Sequence, residues 1–264
     1  MTHLVAILLG FVEGATEFIP VSSSGHLIIA RQILGENNLR GLAFDAVLQL
    51  SASSALLVYF WKDIIHLIQV VYNLFFGKTT DHKEKTILYS ILIGTIPAVV
   101  FGLFLEKEME SMFRNVHLVA LTLFLGSVLF WFAQKFSKQN KLLTFGKGIV
   151  IGFFQCLALV PGISRSGATI SGGLLMGLSQ EDSVRFSFLL SLPILFGAGL
   201  KKLFEVRHEL FSTGYGISLL LGSAVAFVVG LVSINFLIKY LKNHNLNVFI
   251  YYRIALSIAI FFFF

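Results

Sequence analysis

Apolar residues run along this chain in blocks of membrane-crossing length, separated by short polar loops. A transmembrane helix needs about 17–25 mostly apolar residues. Six segments meet or nearly meet that need: roughly 44–60, 86–105, 116–133, 183–200, 215–238 and 248–264. A further apolar stretch, 64–76, reads as a helix that could lie on the lipid surface. Two other stretches are as apolar but broken. Leu4 to Leu34 is interrupted by Glu13, Glu17, Pro20, Ser22, Ser23, Ser24, Gly25 and His26, and 145–177 by Pro161, Gly162, Ser164, Arg165, Ser166 and Gly167. Each apolar piece is too short to cross alone, and the polar interruptions do not suit a cleavable signal peptide. We read both as re-entrant hairpins, because irregular backbone at membrane depth persists only where protein buries it or it lines a cavity. Kinked full spans are the alternative. The expected fold is an all-α polytopic membrane protein, six transmembrane helices plus two re-entrant helical hairpins, forming a single membrane domain over 1–264.

An internal repeat supports the hairpins. A shift of 142 pairs Ile7 with Ile149, Gly10 with Gly152, Phe11 with Phe153, Ser22 with Ser164, Ser24 with Ser166, and Gly25 with Gly167. It continues through Gly35 and Gly177, Phe44 and Phe186, and Leu48 and Leu190. A shift of 128 pairs Gly94, Ala98 and Gly102 with Gly222, Ala226 and Gly230. The halves are about 1–140 and 141–264. Each would hold one hairpin and three spans, and three crossings invert the second half relative to the first. Inverted repeats with broken helices build sites near the bilayer midplane.

Composition narrows the class. Charged residues make up 13% of the chain and hydrophobic ones 56%, with 28 Phe and a mean hydropathy of +0.84. Soluble domains carry about 25% charge, so a soluble enzyme and a disordered chain are both excluded. The single Cys156 excludes a disulfide scaffold and a cysteine-ligated metal centre. The net charge of +6 sits in loops between apolar blocks and forms no stripe, so no nucleic-acid partner is expected. Loops 61–85, 134–147, 178–185 and 239–253 carry twelve Lys or Arg against seven on the opposite face. Excess positive charge marks the cytoplasm, so both termini and the first hairpin's mouth should face outward.

Glu13 and Glu17, four apart, share one helix face. Ionisable groups inside a membrane are costly and point to function. This pair suits a hard divalent cation or a general base. Ser22, Ser23, Ser24 and Gly25 open the next helix, where hydroxyls cap and free amides attract phosphate. Ser164, Ser166, Gly167 and Thr169 repeat that arrangement, with Arg165 adding a fork matched to phosphate oxygens. Two helix N-termini and one Arg would form an anion trap suited to a diphosphate. His26, one turn from the serines, is a candidate nucleophile, acid or base. Gln155 stands opposite Glu13 in the repeat and Ala168 opposite His26, a lopsidedness that favours an enzyme over a symmetric pore.

The run from Glu13 to His26 (EGATEFIPVSSSGH) resembles the acidic signature of the undecaprenyl-diphosphate phosphatases of the bacitracin-resistance type, and Pro161 to Ile170 (PGISRSGATI) resembles their second signature. Phe44 through Leu50 and Ile96-Pro97-Ala98 also match, so the resemblance covers the whole chain. It implies hydrolysis of undecaprenyl diphosphate in the bacterial plasma membrane, recycling the cell-wall lipid carrier, in a cleft opening to the outer face. It also implies a divalent cation, Mg or Ca, and catalytic roles for Glu13, Glu17, Ser23, His26 and Arg165. Either Ser23 or His26 would be the nucleophile. Membrane lipid is the other expected partner, and a homodimer is left open. The rival readings are a transporter or flippase for an anionic or lipid-linked substrate, and the other membrane lipid phosphatase superfamily. The latter needs an Arg-Pro element upstream of its Ser-Gly-His, yet no Arg lies among residues 1–25.

Overall fold

The computed structural model describes residues 2–36, 40–105, 115–212 and 216–263, and among these every regular element is helical. Among the described residues eleven α-helices follow one another: α1 His3–Thr16, α2 Ser23–Leu34, α3 Arg40–Tyr59, α4 Trp61–Phe75, α5 His82–Phe104 and α6 Val116–Phe136, then α7 Phe145–Cys156, α8 Arg165–Leu175, α9 Gln180–Ser212, α10 Gly216–Asn243 and α11 Asn247–Phe263. Short polar residues set many boundaries. Thr2, Asp81, Asn115 and Thr144 each accept a bond from a first-turn amide of the helix they precede, and Gly35, at φ 71°, ends α2.

By length and composition α5, α6, α9 (as Gln180–Glu205) and α10 can cross a membrane, and a fifth span arises if α3 and α4 count as one bent pair. The axes of that pair differ by 77°. The bend turns α4 aside with Trp61, Ile68, Val71, Tyr72 and Phe75 exposed, as suits a helix on a lipid surface. At 17 residues, α11 lies at the lower limit for crossing. The 14 residues of α1 reach about 21 Å, short of the ~30 Å hydrocarbon layer.

Two expectations about loops need correction. The segment 201–214 does not open as a loop after residue 200, because α9 continues to Ser212, with Lys201 and Lys202 bonded to Glu205 on its surface. Arg253 belongs to no charged loop either. It sits inside α11 with no solvent exposure, so it carries no weight in the loop-charge count.

The repeat positions meet one another across the interior. α1 packs on α10 and α7 on α5. A Cβ on Gly10 would collide with the carbonyl of Gly222, and one on Gly152 with the carbonyl of Gly94. One turn away, a Cβ on Gly222 would lie 2.9 Å from Ala6 O, and one on Gly94 2.9 Å from Gly148 O. Glycines thus let the backbones touch in both places. Because the obstacle is backbone, no rotamer change relieves it. Gly152→Ala should lower stability by about 1–3 kcal/mol, read as a lower melting temperature in detergent, while Gly146→Ala, whose Cβ meets nothing within 4 Å, should not. Around this frame α3 packs on α9 and α10, and α6 on α11, over a core that includes Phe18, Leu48, Leu56, Phe188 and Leu190.

Candidate active site

The chain leaves α1 at Thr16 and re-enters helix at Ser23, and it leaves α7 through a single 3-10 turn, Leu157–Leu159, to re-enter at Arg165. Both re-entry points use the same uncommon backbone. Ser22 has φ 76° and Ser164 φ 75°, a left-handed conformation that costs a non-glycine residue about 1–3 kcal/mol and clusters at functional sites. In return each hydroxyl caps its helix: Gly25 N donates to Ser22 Oγ and Gly167 N to Ser164 Oγ, both at 3.3 Å. The next serines follow suit, with Ser22 and Ser24 hydroxyls 3.3 Å apart and those of Ser164 and Ser166 3.2 Å apart. Gly25 and Gly167 are both buried; a Cβ on Gly167 would enter the Phe130 ring.

The two breaks meet at Glu17. Its Oε2 accepts the Ser23 hydroxyl at 2.6 Å and its Oε1 accepts Arg165 Nη2 at 3.2 Å. Glu13, one turn earlier, is buried as deeply, with 1% exposed against 6% for Glu17. Arg165 has donors to spare, since its Nε and Nη1 are buried without a hydrogen-bond partner. A buried donor left unbonded costs about 1–3 kcal/mol, so these nitrogens are poised for an acceptor that the protein does not supply.

His26 is held from both sides. Its Nδ1 lies 2.8 Å from Ser22 O, and its Nε2 lies 2.7 Å from the Tyr252 hydroxyl. A carbonyl only accepts, so Nδ1 carries the proton of the neutral ring and Nε2 accepts from Tyr252. The two rings lie nearly parallel at 5.7 Å. Thr169 is engaged elsewhere: its hydroxyl bonds Arg165 O at 2.9 Å and lies 2.5 Å from Ser187 Oγ, tying α8 to α9. Gln155, the repeat partner of Glu13, is 1% exposed, and neither its amide nitrogen nor its oxygen is bonded.

Sequence reasoning missed three groups. Tyr252 and Arg253 passed as the border of the last span, and only the adjacency of an aromatic hydroxyl to a cation beside an apolar run hinted at them. Arg31, counted only as a charge of the first hairpin's face, grips Asp45 with Nε to Oδ2 at 2.8 Å and Nη2 to Oδ1 at 2.5 Å, joining α2 to α3.

Among the described residues no group of three His, Cys, Asp or Glu side chains converges as a metal site would require. The donors present are the Glu13 and Glu17 carboxylates with the Ser23 hydroxyl beside them. These are oxygens throughout, the donor type that hard divalent cations take, and Mg usually draws its remaining ligands from water and substrate phosphate. The chemistry of the set therefore fits such an ion.

Comparison with known proteins gives a consistent picture. The family described as bacitracin resistance protein BacA matches residues 6–259. A protein of Paenarthrobacter aurescens named undecaprenyl-diphosphatase is 38% identical over 267 residues, 99% of this chain and 96% of the relative. Proteins of the same name from Trichlorobacter lovleyi and Chlorobaculum tepidum are 41% and 39% identical, each over 98% of this chain and 96% of the relative.

Proposed function

The chain belongs to the bacitracin resistance protein BacA family, and from that premise we infer that it is an undecaprenyl-diphosphatase, a hydrolase that releases inorganic phosphate from undecaprenyl diphosphate and leaves undecaprenyl phosphate. The relatives' names favour this over the transport reading. The observation that carries the chemistry is the Ser23–Glu17–Arg165 constellation: a hydroxyl on a buried carboxylate, and beside it a guanidinium with two unbonded nitrogens.

Nucleophile and base stand within hydrogen-bond reach, the arrangement that activates a serine. Ser23 Oγ attacks the terminal phosphorus and its proton passes to Glu17. The bond from that phosphorus to the bridging oxygen breaks, and undecaprenyl phosphate departs with that oxygen. Water then displaces the serine from phosphorus, the proton on Glu17 returns to Oγ, and inorganic phosphate leaves. Arg165 holds phosphate oxygens through Nε and Nη1 while Nη2 stays on Glu17, and the first amides of α2 and α8 face the same anion. His26, fixed with Nε2 as its basic atom, carries protons to and from water. Glu13 and Glu17 would hold the divalent cation, which when bound offsets negative charge on the phosphates.

The finer architecture belongs to this reading: α1–α2 and α7–α8 as re-entrant hairpins within six spans, halves of about 1–140 and 141–264 inserted in opposite senses, and a site opening to the outer face of the bacterial plasma membrane. The reciprocal glycine contacts of α1 with α10 and of α7 with α5 support it. The test is phosphate release from undecaprenyl diphosphate by the purified chain. Release should stop with EDTA and return with excess Mg or Ca. Without any release the hydrolase reading fails, and an undiminished rate in EDTA removes the cation from it.

A further inference from the structure

Arg253 takes no part in the chemistry above, yet it is the largest fully buried side chain among the described residues. Its bonds span three parts of the molecule. Nη1 donates to Pro20 O at 3.4 Å, in the break between α1 and α2. Nη2 donates to Gly162 O at 2.9 Å, in the break between α7 and α8, and to Leu123 O on α6 at 3.1 Å. Nε donates to Ser127 Oγ at 3.2 Å, and the guanidinium lies 4.6 Å from the centroid of the Phe130 ring. Among the described residues none of these partners is a carboxylate; the charge rests on carbonyls, a hydroxyl and a ring face.

A buried cation without an anionic partner is costly, so its retention calls for a reason, and the carbonyls it meets supply one. Breaking two helices inside an apolar protein frees carbonyls that would otherwise be bonded within a helix. One guanidinium, with five donors in a rigid fork, satisfies one such carbonyl in each break at once. Its seat is shaped for it: a Cβ at Gly126 would overlap Nη2, and Gly162, at φ 96°, turns its carbonyl in a conformation open to glycine.

We propose that Arg253 is a positioning residue that pins the two helix breaks to each other and thereby sets the approach of Arg165 to Glu17 and Ser23. Glu17 lies three residues before Pro20 and Arg165 three residues after Gly162, so a shift between the breaks passes directly into the 3.2 Å contact. Misplacement of catalytic groups by about 1 Å can cost ~100-fold in rate.

This rests on the hydrolase reading, and the experiment separates the two. Arg253→Gln, Gly126→Ala and Ser257→Ala are purified as full chains, with melting temperature, kcat and KM for undecaprenyl diphosphate, and hydrogen–deuterium exchange measured on each. Ser257 is the structural control, since its hydroxyl bonds Ala120 O at 2.6 Å one turn along the same α11–α6 contact and reaches neither break. Arg253→Gln should lower kcat per folded molecule by about tenfold or more with KM changed less than about threefold, and should speed amide exchange in both 17–22 and 160–164. Gly126→Ala, which displaces the guanidinium without removing it, should do the same should the first variant not fold. Ser257→Ala should lower only the melting temperature. Wild-type kcat per folded molecule in both displaced variants, faster exchange in one break only, or an equal kcat loss in Ser257→Ala would each overturn the proposal. If the wild-type chain released no phosphate, the hydrolase reading would fail, and the exchange data alone would still decide whether Arg253 pins the breaks.

Discussion

Glu17→Gln is expected to release phosphate about 10²–10⁴-fold more slowly than the wild-type chain, the range general-base catalysis supplies. The substitution keeps the size of the side chain and an oxygen able to accept from Arg165. What it loses is the capacity to take the Ser23 proton, which the 2.6 Å bond shows directed at Oε2. It also leaves Arg165 facing a neutral group. Because the buried guanidinium then lacks its carboxylate partner, the melting temperature in detergent should fall, and kcat per folded molecule should fall far more than KM rises. Phosphate release by a folded Glu17→Gln within about threefold of wild type would remove Glu17 as the base.

The second large effect is expected at Arg165. Arg165→Ala removes the only ion-pair partner seen for Glu17 among the described residues, and leaving one member of a buried pair alone costs about 3–5 kcal/mol. Its loss of activity would therefore mix misfolding with chemistry. Arg165→Lys is the cleaner variant. It keeps the charge but has one nitrogen in place of three, so it cannot bond Glu17 and two phosphate oxygens in the plane the guanidinium offers. We expect kcat/KM to fall about 10²–10³-fold, the loss seen when a single donor to developing charge is removed. Product phosphate should also protect wild type against heat more than it protects Arg165→Lys. Equal protection of both would place the anion elsewhere.

How far the sequence carried this reading differs from element to element. Helices α3, α5, α6, α9, α10 and α11 lie where long apolar blocks demanded them, because a run of such residues in lipid must satisfy its backbone internally. Glu13, Glu17, the two serine runs and Arg165 were legible because polar residues inside an apolar block are expensive enough to need a cause. The far end of α9 was not legible: Lys201, Lys202 and Arg207 read as loop charges, yet i,i+3 and i,i+4 contacts let a helix carry them past the apolar block. Thr169 shares a motif with Ser164 and Ser166, but its hydroxyl is taken up by Ser187, a residue 18 positions on that no local pattern singles out.

What the amino-acid order decided by itself is which segments are apolar helices, where they break and which chemical groups stand at the breaks, since propensity, capping and the cost of polar groups in lipid are local properties. Tertiary structure alone decided which groups meet. Ser23 and Arg165 converge on one carboxylate, Tyr252 reaches His26 across 226 positions, and Arg253 joins carbonyls of both breaks. These contacts depend on helix packing through paired glycines, and a contact between distant residues depends on the path of the chain between them, which local pattern does not record.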